Sequence, residues 1–295
     1  MKILLAVDGS AHSDAAIQTV LDRYGAGNNQ VKVLSAADNL TGAFGKLNPE
    51  QSQSVLNDAM AKLCTRYDHE HIESISYHGN ASQSVIKFAS AWQPDLIALG
   101  AHGHDGIGRL MLGSVTDEIV KQAHCSVLVA RAARKNIATD AKNIVICLED
   151  ATSRDVLLDW LVQQDWPEGA RFTILHLFAP PVRDYSPNAK TDLQIFHEVE
   201  ELTFSQSHVL VQEAVAKLQQ LMPQNLVLCK VAEEQDVEQA IVSISKELQA
   251  GLIVVGPRHP FGMEQILLGS VANYVLLNAH CSVEIMHPQS WGAPK

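Results

Sequence analysis

No two of the five cysteines (Cys64, Cys125, Cys147, Cys229, Cys281) stand in a C-x-x-C spacing, so this 295-residue chain offers neither a zinc ribbon nor a dithiol redox motif. Five is also an odd number for a disulfide framework, and reduced thiols, mostly in core positions, are expected. No apolar run approaches the ~18–20 residues of a bilayer span, which excludes a membrane-spanning helix. The opening run Met1–Val7 meets an acid at Asp8, too early for a signal peptide, so a cytoplasmic location is expected. Basic residues are in short supply: 22 Lys and Arg face 33 Asp and Glu, a net charge of −11. That deficit argues against nucleic acid as a partner. It is also uneven. Residues 1–140 carry 12 basic and 14 acidic side chains, near −2, whereas residues 141–295 carry 10 and 19, near −9. An anionic ligand should prefer the first half.

What the chain does have is a globular composition, with 46% apolar residues, 17 Gly and 11 Pro, and a length that suggests two domains. It also repeats. Asp95–Ala130 aligns without a gap on Gly251–Met286 at an offset of 156, with 13 of 36 positions identical, among them L-G-S-V and A-H-C-S-V. So long a period indicates duplication of a whole domain. The expected units are residues 1–133 and 142–288, joined by a polar linker within Ala132–Asn143.

Each half alternates strands with helices. In the first, Lys2–Asp8, Val31–Ala36, Ile72–Tyr77, Leu96–Gly100 and Ser126–Ala130 read as strands, the first a nearly all-apolar run of the kind buried on both faces of a parallel sheet. Ser10 or Ser13 caps a helix to about Arg23. Pro49–Tyr67, Ser82–Trp92 and Ser114–Gln122 read as the other helices, the first burying Val55, Leu56, Ala59, Met60 and Leu63. The second half repeats the pattern with strands near Asn143–Leu148, Arg171–Phe178, Asn225–Val231, Leu252–Gly256 and Ser282–Met286, and a long helix within Thr191–Leu221. The reading is α/β, two tandem doubly wound five-stranded parallel sheets.

Ligands of such sheets bind beyond the carboxyl ends of the strands, where strand order reverses. Two segments should meet there: Val7-Asp8-Gly9-Ser10, and Gly100-Ala101-His102-Gly103 followed, nine residues on, by Gly113-Ser114-Val115 opening a helix. Glycines allow close backbone approach, and a helix N-terminus presents free N–H groups to an anion. This is a phosphate cradle by its physics. It is neither a P-loop, since no Lys precedes Ser114, nor the G-x-G-x-x-G of dinucleotide folds.

G-x-x-G, nine residues and G-[ST], after an apolar strand and before the strand S-V-L-V, together with the opening I-L-L-A-V-D-G-S-x-H-S, resembles the universal stress proteins, and the resemblance spans both halves. It implies the adenine nucleotide alpha hydrolase-like fold with strand order 3-2-1-4-5 in each half. It implies ATP, with Mg as a possible companion, as the ligand. Asp8 would sit by the adenine, Ala36 would pack on the base, and Gly100, His102, Gly103, Gly113, Ser114 and Val115 would hold ribose and phosphates. Val7 and Leu99 complete the implied set. In the second half Gly103 becomes His259, Pro257 and Pro260 enter the turn, and Asp8 becomes Glu149 followed by Asp150. That copy reads as degenerate and empty.

The function expected is a nucleotide-binding stress-response or regulatory protein, not an enzyme. The alternatives left open are a slow ATPase using His102 or Asp105, and a nucleotide-free scaffold. Of the roles open to His102 and His104 (catalytic acid, phosphate donor or solvated polar residue), solvation or a ligand contact without chemistry is expected, and Arg109 has the charge to meet a phosphate tail. His124-Cys125 and His280-Cys281 precede last strands and read as packing, not metal ligands. Trp92, Trp160 and Trp166 read as packing residues, and Glu198–Glu201 as a solvated helix face. The fifth strand of each half is an unpaired edge, so the two halves are expected to pair through Ser126–Ala130 and Ser282–Met286 as an intramolecular pseudo-dimer, with a homodimer possible.

Overall fold

A computed structural model describes residues 1–24, 29–37, 47–102, 112–132, 137–164, 166–179, 189–256 and 268–287, with 152, 153 and 189–201 described by backbone alone. The first half runs β1 (Lys2–Ala6), α1 (Ala11–Tyr24), β2 (Gln30–Ala37), α2 (Pro49–Leu63), β3 (Ile72–His78), α3 (Ala81–Trp92), β4 (Leu96–Gly100), α4 (Ser114–Gln122) and β5 (Ser126–Ala130). The second runs β6 (Asp140–Cys147), α5 (Ala151–Gln163), β7 (Arg171–Phe178), α6 (Ala189–Leu221), β8 (Leu226–Glu233), α7 (Val237–Glu247), β9 (Ala250–Val255), α8 (Ser270–Asn278) and β10 (Ser282–Ile285).

Successive strand residues face opposite sides of a sheet, so the apolar runs of the central strands split between two layers. Ile3, Leu5, Val33, Ala98 and Leu128 pack under α1 and α2, while Leu4, Leu34, Ile97, Leu99 and Val129 pack under α3 and α4. The second half divides the same way, with α5 and α6 on the first face and α7 and α8 on the other.

Where two five-stranded sheets were expected, the strands form one sheet of ten, in the order β3-β2-β1-β4-β5-β10-β9-β6-β7-β8. Each half has the order expected, parallel throughout, and β5 meets β10 antiparallel with Val129 opposite Val283, Leu128 opposite Glu284 and Val127 opposite Ile285. Two further bonds close the seam: the Ser282 hydroxyl accepts the Arg131 N–H at 3.2 Å, and the Ser126 hydroxyl accepts the His287 N–H at 3.1 Å.

Two boundaries differ from expectation. The second helix stops at Leu63, not Tyr67, because the chain tightens: Thr65 and Arg66 donate to the carbonyls three residues back, Lys62 and Leu63. The Tyr67 hydroxyl, freed from the helix, donates to the Tyr24 carbonyl at 2.5 Å. The linker is also shorter than Ala132–Asn143, since β6 begins at Asp140, which pairs with Ala250 before a register shift leads to Ile144 opposite Leu252. Of the cysteines, Cys125, Cys147 and Cys281 are buried, and Cys64 and Cys229 are exposed.

Candidate functional site

The carboxyl ends of β1 and β4 lie side by side, with Leu5 opposite Ala98, and between them the strand order reverses. The chain leaves β1 through Val7, whose N–H still bonds the Leu34 carbonyl at 2.9 Å. Asp8 then folds back: its Oδ1 accepts the Ser10 N–H at 3.0 Å, and its own N–H reaches the Ser13 hydroxyl at 3.3 Å. Gly9 sits between at φ 77°, a conformation open to glycine at no steric penalty. Ser10, one of the two expected caps, takes the role. Its hydroxyl accepts the Ser13 N–H at 3.2 Å and its carbonyl accepts that of Asp14. Ser13 lies inside the helix and serves Asp8 instead.

This turn is fastened to the end of β4. The Ser10 hydroxyl also donates to the His102 carbonyl at 3.3 Å. Gly100 lies directly against the start of α1: a Cβ there would stand 2.7 Å from the His12 carbonyl carbon and 2.8 Å from the Ser13 nitrogen. Its glycine is explained by the helix packed on it. From Gly100 the chain is tied to α4, since the Thr116 hydroxyl donates to the Gly100 carbonyl at 2.8 Å and the Gly113 N–H to the Ala101 carbonyl at 2.9 Å. Gly113 is the N-cap of α4 and supplies no side-chain bond, and Ser114 and Val115 are exposed in the first turn.

Val7, Asp8, Gly100, His102, Gly113, Ser114 and Val115 are therefore brought to one end of the sheet. Ala36 is half-buried near the same end of β2, opposite Tyr77 of β3. Leu99 and Val7 point their side chains into the core on opposite faces, so what they present to the site is main chain. Gly103, His104, Asp105 and Arg109 lie outside the described residues, as do Pro257, His259 and Pro260.

One residue at this end was quoted in the opening motif without a role. The ring of His12 lies 5.3 Å from that of His102, and its Nδ1 accepts the Ala132 N–H at 3.1 Å. An acceptor at Nδ1 places the proton of the neutral ring on Nε2. His12 thereby joins the start of α1 to the residues just past β5. Its signal in the sequence is only its place two residues after Ser10.

The corresponding end of the second half is built differently. Gly269 starts α8 as Gly113 starts α4, again with no side-chain cap. Yet where the first half has the small, buried Ser35, the second has His176, buried and bonded through Nδ1 to the Leu148 carbonyl at 2.8 Å and through Nε2 to the Ser207 hydroxyl of α6 at 3.1 Å. His176 and α6 lie on the face that α5 also covers, whereas the residue equivalent to Ala36 is Leu177, on the other face of β7. The side chains of Glu198–Glu201 lie outside the described residues.

Nothing near either end resembles a metal centre among the described residues. Asp68, Glu70 and His71 form one exposed group of potential ligands, but they precede β3 at the opposite, amino end of the sheet. Burial pushes the thiols of Cys125 and Cys281 up to about 12, which fits packing and not ligation. No helix among the described residues is long and apolar enough to cross a membrane.

The sequence matches the universal stress protein family model over residues 1–131 and 141–287. A universal stress protein of Methanocaldococcus jannaschii is 39% identical over 57 residues, 19% of this chain and only 34% of that relative. A universal stress protein of Mycolicibacterium smegmatis is 23% identical along 97% of both chains. Among solved structures, a universal stress protein from Archaeoglobus fulgidus superposes with a TM-score of 0.63 over 97% of this chain and 98% of its own, at 18% identity, a likeness of fold.

Proposed function

The chain belongs to the universal stress protein family, and from that premise we propose that its first half binds one adenine nucleotide, ATP, as a regulatory ligand in a cytoplasmic stress-response protein. The observation that carries this reading is the convergence, at one end of the sheet, of Asp8 in its side-chain-stabilised turn with the uncapped N-terminus of α4. The two lie on either side of the strand reversal, Asp8 for the adenosine end and the Ser114–Val115 turn for the phosphates. Mg2+ would travel with the triphosphate.

The second half is read as carrying no nucleotide. Its net charge near −9, against −2 for the first half, repels phosphate, and Glu149 followed by Asp150 stands where the first half has Asp8. Calorimetric titration with ATP should therefore give a stoichiometry of one per chain. Two equivalent sites, or no heat of binding, overturns the assignment.

Asp8→Ala should weaken ATP roughly 10-fold or more, the loss expected of a hydrogen bond to a charged group at about 1.5–3 kcal/mol. Inorganic triphosphate, which lacks the adenosine, should lose much less. Equal losses for both ligands would remove Asp8 from the adenosine end. Binding, not turnover, is proposed, because no carboxylate pair and no activated nucleophile stands at this end among the described residues. Phosphate release that saturates with ATP would point to the ATPase reading instead.

A further inference from the structure

The seam between the halves repeats its backbone-to-serine hydrogen bonds by symmetry, but its side chains differ at Leu128 and Glu284 and at Arg131 and His287, where Arg131 also donates to the Leu276 carbonyl. The repeat offset of 156 maps Ser126 on Ser282 and Arg131 on His287, and the two closing hydrogen bonds are each other's counterparts. It also maps Leu128 on Glu284, and these two residues face each other across the strands. The pseudo-twofold axis therefore passes through a leucine and a glutamate.

Glu284 has no exposed surface, and its partner comes from the other half. Arg23, near the end of α1, reaches it with Nη1 to Oε2 at 2.6 Å, 261 residues away in sequence. The guanidinium lies over Trp166 at 4.6 Å, Tyr24 at 4.8 Å and Trp160 at 5.6 Å, so both halves wall it in. Neither charge has a counterpart. Leu128 stands where a second glutamate would, and Gln164 stands at the position equivalent to Arg23 when Asp8 is aligned with Glu149.

We propose that the Arg23–Glu284 pair is a pairing code for these edges: it admits β10 of the second half to β5 of the first and rejects any copy of either edge. If two second halves met through β10, Glu284 would face Glu284 across the axis with Gln164 in place of each arginine. Like charges directly opposite in a sheet are destabilising, and here they would be buried. If two first halves met through β5, Leu128 would face Leu128, and each Arg23 would lose both its carboxylate and the two tryptophans that flank it. Only the mixed pairing gives Arg23 a carboxylate and Glu284 an arginine, which is specificity by penalising the alternatives. The partner this surface fits is the second half of the same chain. The device removes two of the three edge pairings through which separate molecules could join end to end.

The test uses the whole chain. R23Q/E284L gives both edges the same apolar centre and removes the charges together, a change that buried ion pairs tolerate. Wild-type protein refolded from denaturant at roughly 0.1 mM should exchange β10 between chains in about one chain in ten, read by light scattering, because the tether offers an effective concentration of about a millimolar. The double variant, which also admits β5 to β5 and β10 to β10, should place about twice that share in dimers and larger species. If the glutamine is not accepted between the tryptophans, R23M/E284L makes the same comparison with an apolar stem. A folded double variant with the wild-type distribution of masses overturns the proposal.

Discussion

Arg23→Ala should destabilise the protein by about 3–5 kcal/mol, the loss seen when one member of a buried ion pair is removed and the other is left uncompensated. Denaturant titration against wild type measures it. Burial raises the Glu284 carboxyl above its ordinary value, and Arg23 opposes that rise. Without the arginine, the folded state favours protonated Glu284 still more, while the unfolded carboxyl stays ordinary. A folded-state value raised in this way leaves the least deficit at low pH, and the deficit grows as pH rises through the raised value. The gap between variant and wild type should thus widen between about pH 5 and pH 8. A gap independent of pH would mean that the loss is packing against Trp160 and Trp166, not a stranded charge.

Gly100→Ala is the second large effect expected. The added Cβ would lie under 3 Å from backbone atoms of His12 and Ser13, and no side-chain rotation relieves contact with a helix backbone. The start of α1 must move, at about 1–3 kcal/mol for an overpacked methyl group. That segment also carries the Asp8 turn and the Ser10–His102 bond, so nucleotide affinity should fall roughly 10-fold or more with it, equivalent to about 1.4 kcal/mol. Thermal unfolding and calorimetric titration of the same sample read the two losses. Full stability with lost binding would make Gly100 a ligand contact and not a packing contact.

Most of the fold was legible because it rests on local pattern. Apolar runs such as Ile3–Leu5 and Leu96–Leu99 announce strands covered on both faces, and the duplicated segment announces two like domains. That the edges Ser126–Ala130 and Ser282–Ile285 would meet followed from the hazard of leaving them bare. The charge at the seam was not legible. A glutamate in S-V-E-I reads as a solvent-facing position, and the arginine that makes its burial tolerable is remote in sequence, on an otherwise ordinary amphipathic helix. Gly100 shows a different failure: glycine spacing marks a close approach without saying by what, and here a helix approaches. His12 and His176 were opaque for a related reason, since a histidine's role is set by what its two nitrogens meet in space.

The antiparallel union of β5 with β10 has a directional consequence. Strands in each half run parallel, so reversing one half against the other sends the carboxyl ends of β1 and β4 to one rim of the sheet and those of β6 and β9 to the opposite rim. A protein that docks over the rim of the proposed site would meet only the second half's helix-to-strand turns, and one that docks on the far rim would not touch that site. The two ends are separate addresses on one ten-stranded sheet, and whatever passes between them must cross the seam.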